Sequence, residues 1–320
     1  MWISHQFIMS DMSAITLGTL LPELKSHTTE SQGCTLKSYS HDTGSGPVLC
    51  MVHGYPQSAY MWRHVVPMLK NKVSMFIAEL PGYGISSLPP QPDKRTVGNI
   101  IMEGLKSVFS GRPVVWCGHD RGGRVGHRLM VDNDPKHNIV SGILLDIVPT
   151  LEQWRAFANP AAAVAYYHWP FLATQMAPSL SEAVGGRIYC LNNFDRTKGS
   201  NTAAITKLKE NDALDHYSTV FSKPETISGS CADYASAAEG EPKEQEDDQA
   251  RGKKIKMPTM VLYSASNLGQ MHDVEGLWKN WVDGDLKCVA LGDDVGHYLP
   301  EEAPEQTAKL IAEFAAKNSK

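Results

Sequence analysis

Short apolar runs punctuate the chain at regular intervals. Residues 47–52, 73–78, 113–117, 139–147, 259–264 and 286–291 form runs of 5 to 9 residues rich in Val, Ile, Leu or Met. Runs this short, apolar on both faces, are the pattern of strands covered on both sides, as in a parallel sheet. Between them, residues 59–69, 97–109, 123–132 and 304–316 carry helical spacing, the last with proline at its start. Strands separated by helices imply βαβ crossovers, and so an α/β fold with a doubly wound, mostly parallel sheet. The alternation stops between Pro149 and about Lys256, where no convincing strand occurs and alanines and aromatics gather, as at 161–167. That stretch reads as a helical cap inserted between two strands. The expected organisation is therefore a core over 1–149, a cap over 150–256 and a second core part over 257–320. The charge run at 239–256 reads as a solvated loop or helix returning to the sheet. The first 30 or so residues are less patterned, Met12 offers an alternative start, and they receive no role.

Composition narrows the picture without changing it. With 320 residues, 42% hydrophobic and 20% charged, the chain can bury a large core, which excludes collagen-like, coiled-coil and mostly disordered architectures. The formal net charge is −5, and no Lys/Arg cluster forms a phosphate-tracking stripe, so no nucleic-acid partner is expected. Six cysteines occur without a C-x-x-C pair, arguing for free thiols rather than a metal knuckle or redox motif. No apolar run approaches the length of a membrane span and no signal-peptide pattern opens the chain, so we expect a cytoplasmic protein with no membrane partner.

The candidate chemistry lies where the predicted strands end. Gly118-His119-Asp120-Arg121-Gly122 follows the 113–117 strand and precedes a helix, the setting of a nucleophile elbow with aspartate at the centre. His53-Gly54-Tyr55-Pro56 follows another strand. In this layout the backbone N–H groups of Tyr55 and Arg121 are the candidate oxyanion donors. His297 sits in the loop after the 286–291 strand, so Asp120 precedes it in nucleophile-to-base order. Two carboxylates could orient that histidine. Asp146, at the end of the 139–147 strand, is favoured over Asp273, which lies nine residues past Ser264. Asp293 and Asp294 fit turn capping better than catalysis.

These residues carry a resemblance. His53-Gly54-Tyr55-Pro56-Gln57 with Met61-Trp62, the run from Gly118 to Arg128, Leu145-Asp146-Ile147-Val148-Pro149-Thr150, and Tyr167-His168-Trp169 closely resemble the fluoroacetate (haloacetate) dehalogenases of the α/β-hydrolase superfamily. Gly229-Ser230-Cys231-Ala232-Asp233-Tyr234 and Gly296-His297 extend the match, which covers about residues 40 to 316. The resemblance implies an α/β-hydrolase core with a helical cap, no metal or organic cofactor, and a homodimer acting on a small molecule. It makes Asp120 the nucleophile, His297 the base and Asp146 its orienting acid. It also gives Arg121 and Arg124 the substrate carboxylate, and His168, Trp169 and Tyr234 the departing halide.

The chemistry agrees with that division. A carboxylate nucleophile about 4 Å from an anionic substrate faces roughly 4 kcal/mol of repulsion at an effective dielectric near 20, which neighbouring guanidiniums offset. An aspartate suits attack on sp³ carbon because its ester can be hydrolysed at its own carboxyl group, whereas serine would leave an ether. The sequence departs from the family pattern at Pro170, at Ala235-Ser236 and at Glu79. An epoxide hydrolase is the alternative, with Tyr234 and one of Tyr166, Tyr167 or Tyr189 protonating the opening oxygen. A hydrolase of a larger metabolite, or a receptor that binds without turnover, is a weaker alternative.

Overall fold

The computed structural model describes residues 15–318; the alternative start at Met12 lies outside them. Eight strands form one sheet in the order β1-β2-β4-β3-β5-β6-β7-β8. They are β1 (Lys25–Ser31), β2 (Cys34–His41), β3 (Val48–Val52), β4 (Ser74–Ala78), β5 (Val114–His119), β6 (Ile139–Leu145), β7 (Thr259–Ser264) and β8 (Leu286–Leu291). The six expected strands are all present and mutually parallel from β4 through β8. In β3, β4 and β5 every residue is buried, as unbroken apolar runs require of central strands covered on both faces.

Two antiparallel strands precede the expected ones, β1 beginning in the N-terminal stretch that received no role and β2 following it. β1 pairs with β2, and β2 with β4. Their connection is the two-residue turn Gln32-Gly33, both with positive φ, which glycine adopts without a Cβ penalty. β1 reads Lys-Ser-His-Thr-Thr-Glu-Ser and is largely exposed at the sheet edge, so it carries no apolar run.

The helices cover both faces of the sheet and differ from expectation mainly at their ends. The helix expected over 97–109 is Lys94–Val108, begun by Asp93, whose carboxylate accepts the backbone N–H groups of Arg95 and Thr96, each at 3.0 Å. The 59–69 segment divides into a 3₁₀ turn, Ala59–Trp62, and a short helix, Val65–Leu69. From Thr150 to Ala250 only helical elements occur, between β6 and β7. The charge run becomes the helix Glu241–Ala250, with Glu241, Gln245 and Asp248 buried. Asp248 accepts Arg128 Nη1 at 2.7 Å, so part of the run docks on the core rather than facing solvent.

Candidate active site

The turn after β5 is built by absences. Asp120 sits at φ 46°, ψ −112°, a backbone region rarely held without tertiary support. A Cβ on Gly122 would lie 2.5 Å from the carbonyl oxygens of Val52 and His53, and one on Gly54 would lie 2.5 Å from the Asp120 Cβ. Only hydrogen at these two positions lets the β3 and β5 turns close on each other. The Gly122 N–H then bonds the His53 carbonyl at 3.0 Å, and the Tyr55 N–H donates to Asp120 Oδ1 at 2.8 Å.

His297 reaches the same rim from the loop after β8. Its Nδ1 lies 2.6 Å from Asp146 Oδ2, and Asp146 Oδ1 accepts the Ser264 N–H at 2.8 Å. Asp146 stands just past the end of β6. Asp273 does not face the histidine: its Oδ1 accepts the Gly276 N–H and starts the helix Val274–Lys279. The loop itself is pinned by Glu302, whose carboxylate accepts the N–H groups of Gly296 at 2.7 Å, Tyr298 at 3.0 Å and Gly199 at 2.8 Å. Asp293 and Asp294 lie at positive φ in the preceding turn, as expected of turn residues.

Electrostatics separate the two acids. Burial raises the Asp120 carboxyl, but His297, Arg121, His119 and Arg124 outweigh it, and its pKa falls below the ordinary carboxylate value. For Asp146 burial wins, although the His297 and Ser264 hydrogen bonds oppose it. Burial lowers His297, yet its bond to Asp146 and the charges of Asp146 and Asp120 raise it overall. The geometry thus places an ionised carboxylate and a carboxylate-held imidazole on one rim.

The rim closes over a small cavity, about 40 Å³ to the centre of a water-sized sphere, lined by Asp120, Arg124, His168, Trp169, Tyr234 and His297 among others. His168, Trp169 and Tyr234 stand together, with the Tyr234 ring 5.8 Å from His168 and 5.5 Å from Trp169. Trp169 and Tyr234 both line the cavity.

The two arginines part. Arg124 lines the cavity, bonding the Val148 carbonyl at 2.9 Å, lying 4.3 Å from the Trp169 ring centroid, and pairing with no carboxylate among the described residues. The Arg121 guanidinium turns away to Asp233, with Nε 2.5 Å from Oδ2, and lies 4.2 Å from the Tyr234 ring centroid. Asp233 also accepts Lys94 Nζ at 2.5 Å and the Tyr83 hydroxyl at 2.8 Å. Arg121 therefore braces Tyr234 from behind, and the expected pair of carboxylate-binding arginines presents one guanidinium to the cavity. Glu79, one departure from the family pattern, accepts the Ala59 N–H at 3.1 Å and lies 3.4 Å from His53.

Several lining residues escaped the sequence reading, notably Gln153, Asn193, Arg196, Asn267 and Leu268. They lie on cap helices and on the loop after β7, where no motif marks them. Of the tyrosines weighed for epoxide opening, Tyr234 and Tyr166 line the cavity, while Tyr167 and Tyr189 do not. Tyr166 has a buried hydroxyl with no partner. Among the described residues no group of three or more His, Cys, Asp or Glu side chains could hold a metal ion, and no helix is long and apolar enough to cross a membrane.

The family model described as "Alpha/beta hydrolase family" matches residues 51–310. A fluoroacetate dehalogenase from Burkholderia sp is 31% identical over 85% of this chain and 88% of its own length. A soluble epoxide hydrolase from Corynebacterium sp. (strain C12) is 30% identical over 85% of this chain and 91% of its own length. Among solved structures, a protein from Nostoc sp PCC 7120, described as a candidate α/β hydrolase, superimposes with a TM-score of 0.81 at 31% identity, covering 92% of this chain and 98% of that one. These likenesses show the α/β-hydrolase fold that the strand order describes.

Proposed function

We propose, from the premise that the chain belongs to the α/β-hydrolase family, that it is a hydrolytic dehalogenase of short 2-haloacids, turning a haloacetate into glycolate and halide. One observation carries the reading. Arg124 is a buried guanidinium that pairs with no carboxylate among the described residues, opening onto a small cavity beside an ionised Asp120. Asp120 is a Coulombic neighbour of Arg124 but makes no ion pair with it, and a substrate carboxylate gives the buried guanidinium a hydrogen-bonded anionic partner. A neutral epoxide does not.

In the first step the free oxygen of the Asp120 carboxylate attacks the α-carbon. The carbon–halogen bond breaks with its electron pair, leaving an alkyl ester and a halide ion. His168, Trp169 and Tyr234 hold the leaving halide through N–H and O–H donors, each contributing about 1.5–3 kcal/mol as the charge develops. Arg124 holds the carboxylate and aligns the carbon for in-line displacement.

In the second step His297, oriented by Asp146, takes a proton from water, and the resulting hydroxide attacks the Asp120 carbonyl carbon. The oxyanion forms where Oδ1 now accepts the Tyr55 N–H, with the Arg121 N–H as the second donor in this assignment. Collapse expels the glycolate oxygen, which takes up the proton held by His297, and the Asp120 carboxyl, carrying one oxygen from water, loses its proton to solvent and returns as the carboxylate.

The epoxide-hydrolase alternative has its own support in Tyr166 and Tyr234, which both line the cavity. Free halide released from fluoroacetate and chloroacetate, with styrene oxide hydrolysis run alongside, separates the two. We expect halide from the acids, abolished by Asp120→Asn; diol from styrene oxide with no halide from either acid would overturn the reading in favour of the epoxide.

A further inference from the structure

The His168 ring is held from behind by a residue to which no motif points. Arg196, near the end of the cap helix Gly186–Thr197, places Nη2 3.0 Å from His168 Nδ1 and 3.1 Å from Asn193 Oδ1. The amide of Asn193 is itself oriented, because its Nδ2 donates to the Tyr189 carbonyl at 2.9 Å and leaves Oδ1 to accept. Nη1 of Arg196 donates to the Ala165 carbonyl at 2.7 Å, and the guanidinium carbon lies 5.5 Å from the Tyr167 ring centroid. Among the described residues Arg196 pairs with no carboxylate, so its charge acts on the cavity it lines without a local counter-ion.

Donor chemistry then decides the state of the histidine. A guanidinium has five N–H donors, no acceptor, and stays protonated throughout the accessible pH range. The atom facing Nη2 must therefore offer a lone pair, and a proton on Nδ1 would set two donors against each other. We propose that Arg196 is a positioning residue that locks His168 as the neutral imidazole with its proton on Nε2, so that the ring presents an N–H donor to the departing halide. This rests on the dehalogenase reading for the identity of the halide but not for the tautomer.

The alternative tautomer would present a lone pair to the cavity and repel the leaving anion. A doubly protonated ring would also donate from Nε2, but it would place a second cation against Arg196. Burial, and after it the Arg196 charge, hold His168 well below the ordinary histidine pKa, which keeps the ring neutral. The device supplies a donor without a mobile proton, while the Arg196 charge favours the anion as it forms. Fluoride benefits most, since it leaves poorly unless strongly hydrogen-bonded.

Two measurements on the whole protein test this. The first is ¹⁵N–¹H correlation spectroscopy of histidine-labelled protein, in which the His168 signals are assigned among the 12 histidines by their loss in His168→Gln. We expect the neutral Nε2–H pattern in the unsubstituted protein and its loss or mixing in Arg196→Met. An Nδ1–H pattern in the unsubstituted protein, or an unchanged pattern in Arg196→Met, overturns the proposal. The second is halide release by folded Arg196→Met. Fluoroacetate turnover should fall about 10- to 100-fold and chloroacetate turnover by less, with KM little changed and partial recovery in Arg196→Lys. Equal losses on both acids would overturn the leaving-group role. If the unsubstituted protein releases no halide from either acid, the dehalogenase reading fails, and the spectra alone decide the tautomer.

Discussion

His297 is the residue whose chemistry is most sharply set by its surroundings. Its pKa lies above the ordinary histidine value because the contacts of Asp146 and the charge of Asp120 outweigh burial. The base must be neutral to take a proton from water, so its active form is lost as pH falls through that raised value. Asp120 is lowered and stays ionised over the same range, so the displacement step does not share this limb. We expect the steady-state rate to decline on the acid side as His297 protonates, while a burst of one halide per site persists; once Asp120 is esterified it no longer carries the charge that helps raise His297 in the free protein. In His297→Gln the burst should remain and turnover should fall about 10²–10⁴-fold. Rapid-quench halide measurement between pH 5 and 8 checks both, and a burst that disappears together with turnover would assign His297 to the first step.

At the scale of the element, the pair of turns after β3 and β5 is the piece on which the site depends. Their closeness is a backbone property, so its disturbance should separate activity from folding. Gly54→Ala puts a methyl group 2.5 Å from the Asp120 Cβ, which must move, whereas β3 itself carries no change. We expect a folded protein with a loss of halide release of at least about 100-fold, read by circular dichroism and the halide assay together. Near-normal activity would show that the turn tolerates the shift. This element was legible in the sequence because glycine-flanked turns after apolar strands have few other uses. The β1–β2 hairpin was not, since an exposed edge strand of Lys, Ser, His and Thr has no hydrophobic periodicity to detect. The one signal there was glycine at the turn, Gly33, followed by alternating burial at Cys34, Leu36 and Ser38.

Across the whole molecule, the parallel core followed from apolar runs and the cap from their absence, but the contacts joining cap to core did not. Asp233 gathering Arg121, Lys94 and Tyr83, and Arg196 behind His168, depend on side chains far apart in the chain and meeting only in three dimensions. The expected pairing of Arg121 with Arg124 at the substrate took no account of Asp233, which holds the Arg121 guanidinium in this structure. A further long-range cluster surrounds Asp132, which accepts Arg95 Nε at 2.6 Å, Arg128 Nη2 at 2.7 Å and, from the segment that follows the last cap helix, Lys253 Nζ at 3.1 Å. Burial raises its carboxyl, but these cations bring it down to about 2 from the unperturbed 3.8. A folded-state value below the unfolded one adds stability that is complete above about pH 4 and lost as pH falls toward 2. Asp132→Asn should cost up to about 2 kcal/mol at neutral pH, with a gap that narrows below pH 4, measured by denaturant unfolding. A gap that stays constant with pH would mean that the cluster acts through packing rather than charge.

The central claim is that Asp120 forms and then loses an ester at its own carboxyl group, and a single turnover in ¹⁸O-water reads it directly. With protein in excess over chloroacetate, the account predicts that ¹⁸O enters the peptide carrying Asp120, while the first glycolate released carries unlabelled oxygen from the enzyme. Label appearing directly in that first glycolate, with Asp120 left unlabelled, would mean that water attacks the α-carbon itself, and would contradict the covalent mechanism.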